Sequence, residues 1–141
     1  METALNMNEE VRSARHRILV VDDNPIVLEH VVALLQAAFE VVGTASNGEE
    51  MVAEAMRLNP EVIVADITMP KLDGIAAARQ LRANGCTAKL VFLTIHTQDE
   101  FVNACLADGA LGYVSKSQMR TDLIPAVHAA ILGRRFVSSR K

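Results

Sequence analysis

Apolar and polar residues follow two different periods along this chain. Unbroken apolar runs recur at Ile18-Leu19-Val20-Val21, at Val62-Ile63-Val64-Ala65 and at Leu90-Val91-Phe92-Leu93-Thr94. Shorter runs lie at Val41 to Ala45 and Leu111 to Val114. Apolar stretches of this length, bounded by polar residues, suit strands of a parallel sheet covered on both faces. The more mixed Val41–Ala45 run is expected at a sheet edge. Between the runs the apolar residues switch to helical spacing, as in Val27, Val31, Leu34, Leu35 and Ala38.

The helix ends carry their own signals. Asn24 as N-cap with Pro25 at the first helical position is a favourable pairing. A second helix is expected from Asn47 to Leu58, stopping before Asn59-Pro60 because a residue preceding proline avoids the helical region. Asp73 caps a third, which ends at Asn84-Gly85. Thr97-Gln98-Asp99-Glu100 has the capping-box pattern for a fourth, ending near Asp108-Gly109. A last helix spans Thr121 to Leu132, where Pro125 implies a late start or a local bend. Five strands alternating with five helices give an α/β fold, a doubly wound parallel sheet with right-handed crossovers.

Composition narrows the class. The 141 residues make one domain, with residues 1–16 as a polar arm, 17–133 as the folded unit, and 134–141 as a basic tail or the start of a linker. Half the residues are hydrophobic and only 4% aromatic, so the core is aliphatic. A net charge of −3 gives no general attraction to nucleic acid or membrane. Cys86 and Cys105 show no metal or redox spacing and fit a reducing compartment. With no signal peptide and no membrane-length run, the expectation is a cytoplasmic protein.

Chemistry gathers at the ends of the apolar runs. Asp22 and Asp23 close the first, Asp66 closes the third, and such strand ends open into the crevice where α/β proteins bind ligands. Three carboxylates there would repel unless a cation, a proton or a basic side chain neutralised them. Thr68, Thr94, His96 and Lys116 fall at the same edge. Mg2+ favours oxygen ligands and takes one or two carboxylates plus water and phosphate oxygens. Lysine is a compact charge for a phosphoryl oxygen, and a carboxylate can act as nucleophile to give an aspartyl phosphate.

Val20-Val21-Asp22-Asp23-Asn24, Asp66 with Met69-Pro70 and Asp73-Gly74, Leu93-Thr94, and Gly112-Tyr113-Val114-Ser115-Lys116 together resemble a response-regulator receiver domain of two-component signalling. The likeness runs from about Arg17 to Leu132 and implies the flavodoxin-like strand order 2-1-3-4-5. Position by position, it makes Asp66 the phospho-acceptor. Asp22, Asp23, Asp66 and the Thr68 backbone carbonyl become the Mg2+ ligands, and Thr94 and Lys116 the phosphoryl-binding pair. Thr94 and Tyr113 take the role of a switch, and His96 that of a rim modulator of acyl-phosphate lifetime. The resemblance further implies a sensor histidine kinase as donor and a signalling face made of the fourth helix, fifth strand and fifth helix. It allows a homodimer on phosphorylation. The sequence is similar to the NarL/FixJ (LuxR-type) subgroup, whose members usually carry a DNA-binding helix-turn-helix; direct DNA binding is expected only of a longer parent.

Each residue also has an ordinary reading. Two acids can simply end a strand, Lys116 alone reads as a surface lysine, Thr94 as a strand threonine, and Tyr113 as half-buried packing. Conjunction of the set outweighs these. The alternative function is a Mg2+-dependent phosphohydrolase with an aspartyl-phosphate intermediate. Such enzymes have a second acid two residues past the nucleophile, where this chain has Thr68, which is no comparable general acid. A receiver that only binds partners is opposed by the intact set. A nucleotide-binding module lacks both GxGxxG and GxxxxGK patterns.

Overall fold

The computed structural model describes residues 15–95 and 109–138. Its elements are β1 (Arg17–Val21), α1 (Pro25–Gln36), β2 (Glu40–Ala45), α2 (Gly48–Leu58), β3 (Val62–Ala65), α3 (Gly74–Ala83), β4 (Lys89–Thr94), β5 (Gly112–Ser115), a short 3-10 turn (Lys116–Gln118), α4 (Met119–Ile131) and β6 (Phe136–Val137). The helix expected between Thr97 and Asp108 lies outside the described residues, as do His96 and Cys105.

Side chains cap three helices, at Asn24 and Asp73 as the sequence predicts and at Asn47 in addition. Asn24 accepts the N–H groups of Ile26 and Val27 at 2.9 and 3.3 Å, Asn47 that of Glu50 at 2.9 Å, and Asp73 that of Ala76 at 2.8 Å. Helix α2 stops at Asn59, whose left-handed φ of 51° turns the chain just before Pro60.

Every described strand pairing is parallel, in the order β2-β1-β3-β4-β5-β6, with β2 at the expected edge. Alternation within each strand sorts the core into two layers. Ile18, Val20, Val62, Val64, Val91, Leu93 and Val114 pack with Val31 and Leu35 of α1 and Leu123 and Val127 of α4. Leu19, Val21, Ile63, Ala65, Leu90, Phe92 and Tyr113 pack on the other face with Met51 of α2 and Leu81 of α3.

Two details depart from the sequence reading. Helix α4 starts at Met119 rather than late, so Pro125 sits in its interior. Leu123, Ala126, Val127 and Ala130 are all fully buried along it. Each such Leu or Val is worth roughly 1.5–3 kcal/mol, which offsets an interior proline costing about 3 kcal/mol. Phe136 and Val137, read as part of a basic tail, form a sixth strand on β5. There the Phe136 N–H donates to Leu111 O at 2.8 Å and the Ser138 N–H to Tyr113 O at 2.9 Å. None of the described helices is long and apolar enough to cross a membrane.

The loop after β3, residues 67–73, is clamped by two glycines. A Cβ on Gly74 would lie 2.3 Å from the Asp66 carbonyl oxygen, while the Gly74 N–H donates to Ile67 O at 2.8 Å. A Cβ on Gly48 would overlap the Leu72 carbonyl in the same way. Both obstacles are backbone, so no rotamer change relieves them. Gly74→Ala is therefore expected to lower the unfolding free energy by roughly 1–3 kcal/mol in urea titrations; an unchanged midpoint would show that the loop is not pinned there.

Candidate functional site

The strand order makes β1 the switch point, because the chain leaves it toward β2 on one side and returns at β3 on the other. Asp22 and Asp66 each stand one residue past these neighbouring strands. The Asp66 N–H donates to Val21 O at 2.9 Å and the Asp22 N–H to Ala45 O at 3.1 Å. The ladder hydrogen bonds thus fix the backbone of both acids. Asp22 is 2% and Asp66 7% exposed, whereas Asp23 is exposed.

Asp22, Asp23 and Asp66 each bring a carboxylate oxygen to within 4.8 Å of the others. Lys116, the first residue of the 3-10 turn after β5, reaches back over them. Its Nζ lies 3.2 Å from Asp66 Oδ2, as a hydrogen bond, and 3.0 Å from Asp22 Oδ2. The second contact is a charge pairing whose angle leaves Asp22 Oδ2 buried without a directed hydrogen bond. The other oxygens are occupied: Asp22 Oδ1 accepts the Asn24 N–H at 2.9 Å and Asp66 Oδ1 the Thr68 N–H at 3.3 Å. One ammonium group thus meets two of the three clustered carboxylates. The hard, anionic oxygens and the orphaned Asp22 Oδ2 fit a divalent cation such as Mg2+.

Thr94, fully buried, ends β4 directly opposite Ser115, the residue before Lys116. Tyr113, paired with Phe92, is 2% exposed and belongs to the α2–α3 layer of the core. Thr68 is exposed and engages Asp66 through its N–H. His96 lies outside the described residues. The structure therefore brings Asp22, Asp23, Asp66 and Lys116 together, with Thr94 on the adjoining strand end. Sequence reasoning gave no supporting role to Gly48 or to the second function of Asn24, whose N–H holds Asp22 while its side chain caps α1. A glycine one residue after each cap, Asn47 and Asp73, was the available signal.

Burial is the strongest influence on Asp66 and pushes its carboxyl above the ordinary 3.8; the Asp22 charge adds to this, and Lys116 and the Thr68 N–H only partly oppose it. Burial would lower the Lys116 ammonium, but the Asp22 and Asp66 carboxylates outweigh it and hold the group above 10.5. The two groups act on stability in different pH ranges. Native Asp66 keeps its proton to higher pH than the unfolded chain does, so its stabilising effect is complete below 3.8 and is lost as pH rises through the raised value. The Lys116 contribution is complete below 10.5 and is lost as pH rises through its own raised value. In metal-free buffer at neutral pH, Asp66→Asn should therefore be more stable than wild type by on the order of 1 kcal/mol. That advantage should vanish in acid, as followed by urea unfolding at several pH values; a variant less stable at neutral pH would contradict the charge balance described.

Comparison with known proteins identifies the family. Residues 18–128 match the family described as the response regulator receiver domain. The chain is 35% identical over 133 residues to the transcriptional regulatory protein DegU of Brevibacillus brevis, covering 93% of this chain and 56% of that protein. It spans little more than half the length of such relatives. Among solved structures it resembles the signal receiver domain of NarL from Mycobacterium tuberculosis, with a TM-score of 0.80 and 30% identity over 85% of this chain and 98% of that one. It also resembles the isolated receiver domain of RcsB from Salmonella enterica serovar Typhimurium, with a TM-score of 0.81 and 25% identity over 89% and 94% of the two chains. The chain belongs to the response-regulator receiver domains of two-component systems, and its relatives include the regulators NarL and DegU.

Proposed function

We propose that Asp66 accepts a phosphoryl group from the phosphohistidine of a sensor kinase. The observation that carries this reading is the gathering of Asp22, Asp23, Asp66 and Lys116 at one sheet edge. In the transfer, a carboxylate oxygen of Asp66 forms a bond to phosphorus as the nitrogen–phosphorus bond of the donor breaks, and the departing imidazole takes up a proton. Asp22, Asp23, Asp66 and the Thr68 carbonyl would hold Mg2+, which when bound neutralises charge on the acid cluster and on the phosphoryl oxygens. Lys116 pairs with one phosphoryl oxygen, and the Thr94 hydroxyl donates to another. The ladder-fixed backbone of Asp66 positions the nucleophilic side chain at the sheet edge.

Signalling follows from the added charge. An acyl phosphate carries more negative charge and more acceptor oxygens than a carboxylate, and these draw Thr94 and Lys116 toward position 66. Thr94 and Tyr113 lie on adjacent strands β4 and β5, so a shift of one changes the space beside the other. The surface biased by this shift is β5, α4 and the segment assigned from sequence to the preceding helix. Its occupant is a second copy or an output partner. DegU is named as a transcriptional regulator, and RcsB has been solved as dimers bound to DNA. Transcription control in a longer parent chain is the output we infer. On this reading the chain catalyses only its own phosphorylation and dephosphorylation.

Intact-mass measurement after acetyl phosphate treatment tests the reading. A gain of one phosphoryl group that requires Mg2+, disappears with chelator and is absent in Asp66→Asn is the expected result. Multiple turnover of a generic phosphate ester would favour the hydrolase instead, and no labelling of the wild-type chain would sink the acceptor assignment.

A further inference from the structure

One polar network, buried at Ser138 and Ser115, lies outside the site yet ends on it. Ser138, just past β6, is 4% exposed. Its hydroxyl donates to Asp122 Oδ2 on α4 at 2.7 Å and accepts the Ser115 N–H at 3.1 Å. A hydroxyl has one proton, so giving it to the carboxylate turns a lone pair toward the amide. The bond to Asp122 is charge-assisted and short, which makes it the anchor of the chain of contacts. Thr121 Oγ1 steadies the same carboxylate at 3.1 Å, and the Ser115 and Ser117 hydroxyls pair at 2.8 Å across the turn. The residue after Ser115 is Lys116. The turn that carries the site's lysine is thus tied, through a serine 23 positions beyond Ser115, to an acid on α4.

We propose that Ser138 is a positioning residue for Lys116, so that the β6 segment is a working part of the phosphoryl-acceptor apparatus. The proposal rests on the acceptor reading of Asp66. Lysine has a flexible four-carbon stem, so the place of its ammonium group depends on the backbone from which it springs. Lys116 is held at its tip by Asp66 and Asp22. The Ser138 hydroxyl holds the root by occupying the Ser115 amide where the short β6 ladder ends. Without that acceptor the buried amide seeks another partner, and the turn moves with it. The ammonium group then meets a phosphoryl oxygen less well in the transition state, where the interaction counts most.

The test is the rate of acetyl phosphate labelling with Mg2+, read by intact mass on the full chain. Ser138→Ala should label about ten-fold more slowly than wild type, and Ser138→Thr, which keeps the hydroxyl, should recover most of the loss. In a Lys116→Ala background, Ser138→Ala should cause no further slowing, because the serine acts through the lysine. Wild-type labelling by Ser138→Ala, or equal slowing with and without Lys116, would overturn the proposal. Asp122→Asn removes the anchoring charge but keeps the hydroxyl in place, and should slow labelling about three-fold even if Ser138→Ala folds poorly. Should the wild-type chain not label at all, the acceptor reading fails and crystal structures decide the positioning separately. Lys116 Nζ beyond ion-pair reach, about 4 Å, of Asp66 in Ser138→Ala supports it, and an unmoved Lys116 refutes it.

Discussion

The fold's central electrostatic constraint is the close approach of two buried carboxylates, with a third at the rim, and its partial relief by one ammonium group. Main-chain ladder bonds fix the backbones of Asp22 and Asp66, and the Asn24 and Thr68 N–H groups each hold one carboxylate oxygen. Lys116 bridges them, with one hydrogen bond and one charge contact, and Asp23 remains at the rim without a share of that lysine in the described structure. Burial raises Asp66 above the ordinary carboxylate range and the two acids raise Lys116, so the cluster is strained in one protonation state and eased by any added positive charge. A site built this way gives up stability in exchange for responsiveness: a small change in local charge redistributes several interactions at once.

The rest of the molecule serves to hold that constraint in place. The doubly wound order sets β1 between β2 and β3, so two acids distant in sequence become neighbours at the crevice. Gly48 and Gly74 let the loop after β3 press against α2 and against the Asp66 backbone, which fixes the loop from both ends. Asn24 joins the Asp22 side chain to the start of α1, so the first helix cannot shift without disturbing the first acid.

Much of this was legible in the sequence for identifiable reasons. Fully buried strands leave continuous apolar runs, and Asn24 and Asp73 each satisfy helix N–H groups as their positions predict. The acids and lysine were visible because each directly follows such a run. What escaped notice depends on packing rather than local pattern. Phe136–Val137 is too short to show a period, and only its pairing with β5 makes it a strand. Pro125 is tolerated inside α4 because that helix buries four residues against the sheet, a fact that no local propensity contains. The network through Ser138 links residues 23 and 16 positions apart and leaves no motif.

The sorting of strand residues into two layers has a consequence for how the site and its readout are divided. Along the pleat Val20 and Val64 face α1 and α4, whereas Phe92 and Tyr113 face α2 and α3; Asp22 and Asp66 follow as the first residues past β1 and β3. The carboxylates thus leave the sheet at its edge, while Tyr113 packs inside the α2–α3 layer. Adding or deleting one residue within β1 or β3 would reverse that assignment while leaving backbone pairing available, making the number of residues in those strands as binding a requirement as their identity.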